Sequence, residues 1–142
     1  MPTPAPTPTR TATGHFSFAD WEERPAGTAS AAPRLAQATV SNTFSGGIEA
    51  AGTVCAYTIA YLTETTGSYS GTELLAGTLD GRAGGFALAE RGTFHEDGTT
   101  RCSFEVVPGS GTGELTGLRG TGSFLARHGE PSVPYTFEYV LD

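Results

Sequence analysis

Two glutamates stand where a protein core should be. Read as alternating strands, the segment from Tyr69 to Phe94 is a hairpin. One face of its first arm carries Tyr69, Gly71, Glu73, Leu75, Gly77 and Leu79, and the facing side of its second arm carries Phe86, Leu88, Glu90, Gly92 and Phe94. A carboxylate on an apolar face is costly unless it is paired, solvated or protonated, so Glu73 and Glu90 are the catalytic candidates. A two-residue loop at Gly81-Arg82 would set them directly opposite each other, with Cβ atoms about 4.5–5.5 Å apart. Sliding the register by two leaves them diagonal neighbours. Two carboxyl groups that close cannot both ionise cheaply, so one keeps its proton to higher pH and the pair titrates as a unit. That places a general acid beside a general base, which suits enolisation, cyclisation or isomerisation. The plainer alternative puts one or both in water at a barrel mouth, or against Arg91 or Arg101.

Aromatic residues supply candidates for holding a ligand. The hydroxyls of Tyr57, Tyr61, Tyr69, Tyr135 and Tyr139 can orient a molecule while their rings shape an apolar pocket, with Phe44 and Phe104 as further wall. Trp21, in the run DWEE, either caps the lumen or stacks on the ligand. For each of these residues simple core packing is the competing assignment. His15, His95 and His128 form no HxH, HExxH or Cys/His pattern, so no metal site is expected. The glycine-rich run Pro108–Gly122 fits neither phosphate-binding loop, and its glycines serve a tight corner instead. There is no G-x-S-x-G nucleophile elbow. Lysine is absent, which removes Schiff-base chemistry and the phosphate-loop lysine. No cofactor is expected.

Strands must position these groups. Runs of alternating polarity cover Thr13–Glu22, Arg34–Ser45, Ile48–Leu62, Tyr69–Leu79, Gly84–His95, Thr99–Val107, Leu118–Arg127 and Val133–Leu141. Gly46-Gly47, Asp80-Gly81 and Asp97-Gly98 are hairpin dipeptides. Short links between successive antiparallel strands predict an all-β fold, an up-and-down barrel of eight strands with room for side chains or one small ligand. A two-residue turn at Gly46-Gly47 sets Phe44 opposite Glu49. Ala36, Ala38, Val40, Asn42 and Phe44 then face inward against Glu49, Cys55, Tyr57, Ile59 and Tyr61. The outward face of the third strand (Ile48, Ala50, Val54, Ala56, Ala60, Leu62) becomes apolar enough to suggest a homo-oligomer contact. At Asp97-Gly98 a strict two-residue loop would turn Arg101 inward, so a longer, bulged turn is expected, with Cys102, Phe104 and Val106 inside. Ala26–Ala36 reads as a surface loop. The Pro/Thr-rich stretch 1–11 reads as a disordered tail, leaving 12–142 as one barrel domain.

Bulk properties narrow the partners. A net charge of −7 argues against nucleic acid and anionic membrane. No apolar run spans a bilayer and no signal-peptide pattern is present, so a cytoplasmic location is expected. Cys55 and Cys102 are then expected to be free, buried thiols.

The chain resembles the small bacterial proteins carrying a domain of unknown function within the allene oxide cyclase-like barrel superfamily, whose wider relatives include plant allene oxide cyclases and dirigent proteins. The matching stretches are GHFSFADWEE (14–23), TFSGGIEAAG (43–52), GTELLAGTLDGRAGGF (71–86), VVPGSGTGELTGLRGTG (106–122) and the closing 135–141, which together are spread along most of the folded domain. The resemblance implies an eight-stranded barrel with a central cavity, often oligomeric; it does not imply one activity, and it is the plant relatives that steer cyclisation of a reactive lipid intermediate inside an apolar lumen. It carries Glu73 over as typical, whereas Glu90 departs from a position often held by histidine. The reading that follows is a cofactor-independent cyclase or isomerase acting on a small apolar, polyketide- or lipid-like molecule. The rival is a non-catalytic carrier using the same lumen, and a third reading is a barrel filled by its own side chains.

Overall fold

The computed structural model describes residues 8–141. Eight strands follow one another: β1 (Arg10–Ala26), β2 (Arg34–Gly46), β3 (Ile48–Tyr61), β4 (Gly67–Leu79), β5 (Arg82–Phe94), β6 (Thr99–Val106), β7 (Arg119–Arg127) and β8 (Val133–Val140). Each pairs antiparallel with its sequence neighbours, and β8 pairs back onto β1 to close the barrel. The expected up-and-down barrel is therefore the observed fold. A single turn of 3-10 helix, Gly113–Leu115, lies in the connection from β6 to β7. The described residues contain no helix long and apolar enough to cross a membrane.

β1 starts two residues before the expected domain start, pairing Arg10 with Tyr139 and Thr11 with Glu138. Residues 1–7 of the expected tail lie outside the described residues. β1 also runs on to Ala26, so the exposed loop before β2 is shorter than Ala26–Ala36.

Local backbone irregularities decide the register. Asp80 and Gly81 have φ of 47° and 85°, a type I′ turn, so the two-residue loop is Asp80-Gly81 and Leu79 pairs with Arg82. This moves the β4–β5 pairing by two from the Gly81-Arg82 expectation. In β3, Asn42 pairs with Thr53 but Phe44 pairs with Ala50, and on the other edge Val54 pairs with Leu74 but Glu49 with Thr78. One extra residue is thus inserted near Gly52, whose φ of +63° lies in the left-handed region that favours glycine. The bulge switches faces along β3. Ile48 and Ala50 are buried, Glu49 is exposed, and Thr53, Cys55 and Ile59 point inward. The expected inward Glu49 and outward Ile48 and Ala50 are corrected accordingly. The exposed apolar face narrows to Val54, Ala56 and Leu62, with Leu74 beside Val54. At the β5–β6 turn Phe94 pairs with Thr100, which gives the longer loop and buries Cys102, Phe104 and Val106 as the alternation demands.

The two ends of the barrel differ. At the end holding the Asp80-Gly81 turn, Ile48, Leu79, Leu115 and Leu118 are at most 1% exposed and plug the lumen. At the other end, Ala36, Ala38 and Ile59 pack with the half-buried rings of Tyr57, Tyr61, Tyr69 and Phe94.

Candidate active site between two apolar clusters

Glu73 lies on β4 between Tyr69 of the open-end cluster and Leu75 of the plugged core, and Glu90 lies on β5 between Phe94 and Leu88. Both project inward, at 2% and 4% exposure. Gly71 pairs with Glu90 and Glu73 with Leu88, so the acids are diagonal rather than directly opposed. Their carboxylate oxygens and the Cys55 sulfur lie within 4.8 Å of one another. The direct pairing is corrected, while the close approach stands.

Neutral donors surround the pair. Glu73 Oε2 accepts from Asn42 Nδ2 at 2.8 Å and from the Thr53 hydroxyl. Glu90 Oε1 accepts from the Tyr57 hydroxyl at 2.9 Å and from the Cys102 thiol at 3.7 Å. Arg91 and Arg101 stand exposed on the outer wall, so neither neutralises the acids. Burial, then the hydrogen bond to Glu73 and its charge, push the Glu90 carboxyl up to about 9, against the smaller opposing pull of Tyr57 and Cys102. Glu90 therefore favours its protonated form, which sets a carboxyl hydrogen between the Tyr57 bond and the neighbouring Glu73. Burial also raises the Tyr57 hydroxyl and the Cys55 thiol, and pushes Cys102 up to about 12, each reinforced by the charge of Glu90. Both thiols are free, as expected.

Above the acids a cavity of about 320 Å³ opens at the unplugged end of the barrel. Tyr57, Tyr61, Tyr69 and Trp21 line it, as does Asn42. Neither glutamate reaches its wall. They connect to it through Tyr57 and Asn42, which line the cavity and donate to Glu90 and Glu73 respectively. Glycines make room for the rings. A methyl group on Gly71 would overlap the Ala56 carbonyl and lie 2.7 Å from Tyr57 Cδ1, and one on Gly92 would lie 2.6 Å from Tyr69 Cζ.

The mouth is shaped by an extra residue in β1 between Ala19 and Glu22, where Asp20 has a φ of 59°. Aspartate tolerates that conformation better than most residues, and the kink leaves Trp21 half exposed over the opening, its ring centroid 6.4 Å from that of Tyr57. Trp21 Nε1 donates to Glu23 at 3.3 Å, and the Tyr61 hydroxyl donates to the same carboxylate at 2.6 Å. Arg34 lies 4.0 Å from the centre of the Tyr61 ring and forms a 3.2 Å ion pair with Glu64.

The other expected ligand residues lie elsewhere. Phe44, Phe104, Tyr135 and Tyr139 belong to the plugged core, and none lines the cavity. Tyr135 accepts from Ile48 N at 2.9 Å and donates to Ser45 O at 3.0 Å, and Tyr139 donates to Asp80. Phe44 packs on Phe16 and Phe104 on Phe137, with ring centroids 5.1 and 5.9 Å apart. Phe16, Phe18, Phe94 and Phe124 take their place in the cavity wall. For Phe94 the signal was present, since it continues the Glu90 face. Thr53 shares the alternation of Cys55 and Tyr57, which puts it on the inward face, but nothing in the sequence marks it as a partner of Glu73.

Cys55, Glu73 and Glu90 are a set of potential metal donors that no spacing motif in the sequence disclosed. The histidines are all exposed and take no part.

The fold and site define a small β-barrel plugged at one end, open at the other, with a buried acid pair beneath an aromatic cavity. The chain belongs to the DUF3224 family of proteins of unknown function, whose model matches residues 12–139. It is similar to a crystal structure of a DUF3224 protein of unknown function from Shewanella oneidensis MR-1, at 29% identity and a TM-score of 0.73, covering 95% of this chain and 99% of that one. No curated protein matches the chain.

Proposed function

We propose that the protein is a cofactor-independent isomerase or cyclase that confines a small, largely apolar molecule in the open end of the barrel, in the manner of allene oxide cyclase-like barrels. The observation that carries this reading is the chain of hydrogen bonds leading from the cavity wall to the acid pair. Tyr57 directs its only hydroxyl hydrogen at Glu90, and protonated Glu90 bonds to Glu73. Every donor in the chain points away from the cavity. A substrate C–H or O–H proton can then pass to Tyr57 oxygen as the Tyr57 proton moves to Glu90 and the Glu90 proton moves to Glu73. Reversal returns a proton to a different atom of the substrate, which leaves protein and charge balance unchanged. Asn42 and Thr53 hold Glu73 as the end of the relay. The cavity wall supplies the rest by holding one reactive conformer.

Native mass spectrometry of freshly isolated protein, followed by incubation of any retained compound with wild type, Glu73→Gln and Glu90→Gln, tests the reading. Turnover should fall by roughly 10²–10⁴-fold in each variant with binding retained. Undiminished turnover removes the relay. Stoichiometric recovery of a compound that the protein never changes favours the second reading, a carrier, which the open, aromatic-lined cavity also supports.

A further inference from the structure

From the aromatic wall and the placement of the carboxyl groups around it, we infer that the cavity selects a molecule with a positively charged head, an alkylammonium or quaternary ammonium on an apolar body. This rests on the cavity being the binding site and adds the charge of its occupant.

Eight of the fourteen lining residues are aromatic, so a bound molecule meets ring faces on most sides. Such cages attract cations through the negative face of each ring. Among the described residues no arginine or histidine lines this wall, and the chain has no lysine. Carboxyl groups instead stand behind it at both levels. Glu90 takes the Tyr57 hydroxyl at the floor, and Glu23 takes both the Tyr61 hydroxyl and the Trp21 indole N–H at the rim. A ring that donates to an ionised carboxylate gains electron density on its face, so the two bonds to Glu23 strengthen the attraction of the Tyr61 and Trp21 rings for a cation. An anionic head would face these acids with no counter-charge from the wall. The rim already holds one contact of the inferred kind, the Arg34 guanidinium 4.0 Å from the centre of the Tyr61 ring.

Three probes with one apolar cage and different heads separate the possibilities: 1-adamantylammonium, 1-adamantanol and 1-adamantanecarboxylate. Trp21 is the single tryptophan and lines the mouth, so its fluorescence reports occupancy, with calorimetry as the second readout. The ammonium should bind about tenfold tighter than the alcohol, and the carboxylate weakest. Glu23→Gln, which removes the carboxylate behind Tyr61 and Trp21, should shrink the preference for the ammonium over the alcohol. Alcohol or carboxylate binding as tight as ammonium binding overturns the inference and leaves the cavity as the binding site. Failure of all three to bind overturns both.

Discussion

Glu90 keeps its proton because leaving water costs the ionised form more than its two donors return. The consequence for stability has a definite sign. In the unfolded chain the carboxyl titrates near its ordinary 4.5, and in the fold near 9. Between those values the folded state holds a proton that the unfolded state has released. The contribution of this group is therefore full below the lower value, falls by about 1.4 kcal/mol per pH unit as pH rises, and levels off above the upper one. Glu90→Gln should flatten the decline in urea unfolding free energy between about pH 5 and about pH 9. A variant with the wild-type slope would show that Glu90 is ionised in the fold. At this scale the sequence was informative about which residues face inward. Glu73 and Glu90 could be picked out because a charge interrupts an otherwise apolar alternation. The alternation gives a face but no height along the barrel. For that reason Tyr57 and Tyr69 could not be told from Tyr135 and Tyr139, two of which line the cavity and two of which brace the plugged end.

Strand pairing brings those residues together, and glycines set the spacing of the rings. Tyr57 lies over Gly71 on the neighbouring strand, close enough that a Cβ there would also overlap the Ala56 carbonyl. Backbone cannot yield as a side-chain tip can. Gly71→Ala should cost about 1–3 kcal/mol in chemical denaturation. Because Tyr57 must shift, it should also weaken 1-adamantanol binding, where a merely destabilised but intact cavity would not. The order and antiparallel sense of the strands were legible from turn dipeptides and short connections. The register was legible only in part. Asp80-Gly81 announces its own turn, but the insertion at Gly52 answers to the curvature of two neighbouring strands at once, and nothing local to TFSGGIEAAG reveals it. That single residue sends Glu49 to solvent and Ile48 to the core. The kink at Asp20, which holds Trp21 over the mouth, was hidden for the same reason.

Across the whole barrel, one end carries stability and the other stays open. Leu115, on its single helical turn, is fully buried in the plug. Leu115→Ala should cost about 2–5 kcal/mol in unfolding free energy while leaving the affinity for 1-adamantanol unchanged. A matching loss of affinity would mean that the two ends are coupled. Closure of the wall has a further consequence, for the route to the native state. The seam joins Arg10–Phe16 to residues Val133–Tyr139, nearly the full length of the chain apart. Hairpins such as β4–β5 can zip locally, but the final seam must wait for a long-range encounter, which slows assembly. Until β8 arrives, β1 and β7 each present a bare edge able to recruit another chain. Tyr135 then acts as the latch, its hydroxyl bridging Ser45 and Ile48 across from the arriving strand. The moment of greatest danger for this protein is thus the interval between making its seventh strand and seating its eighth.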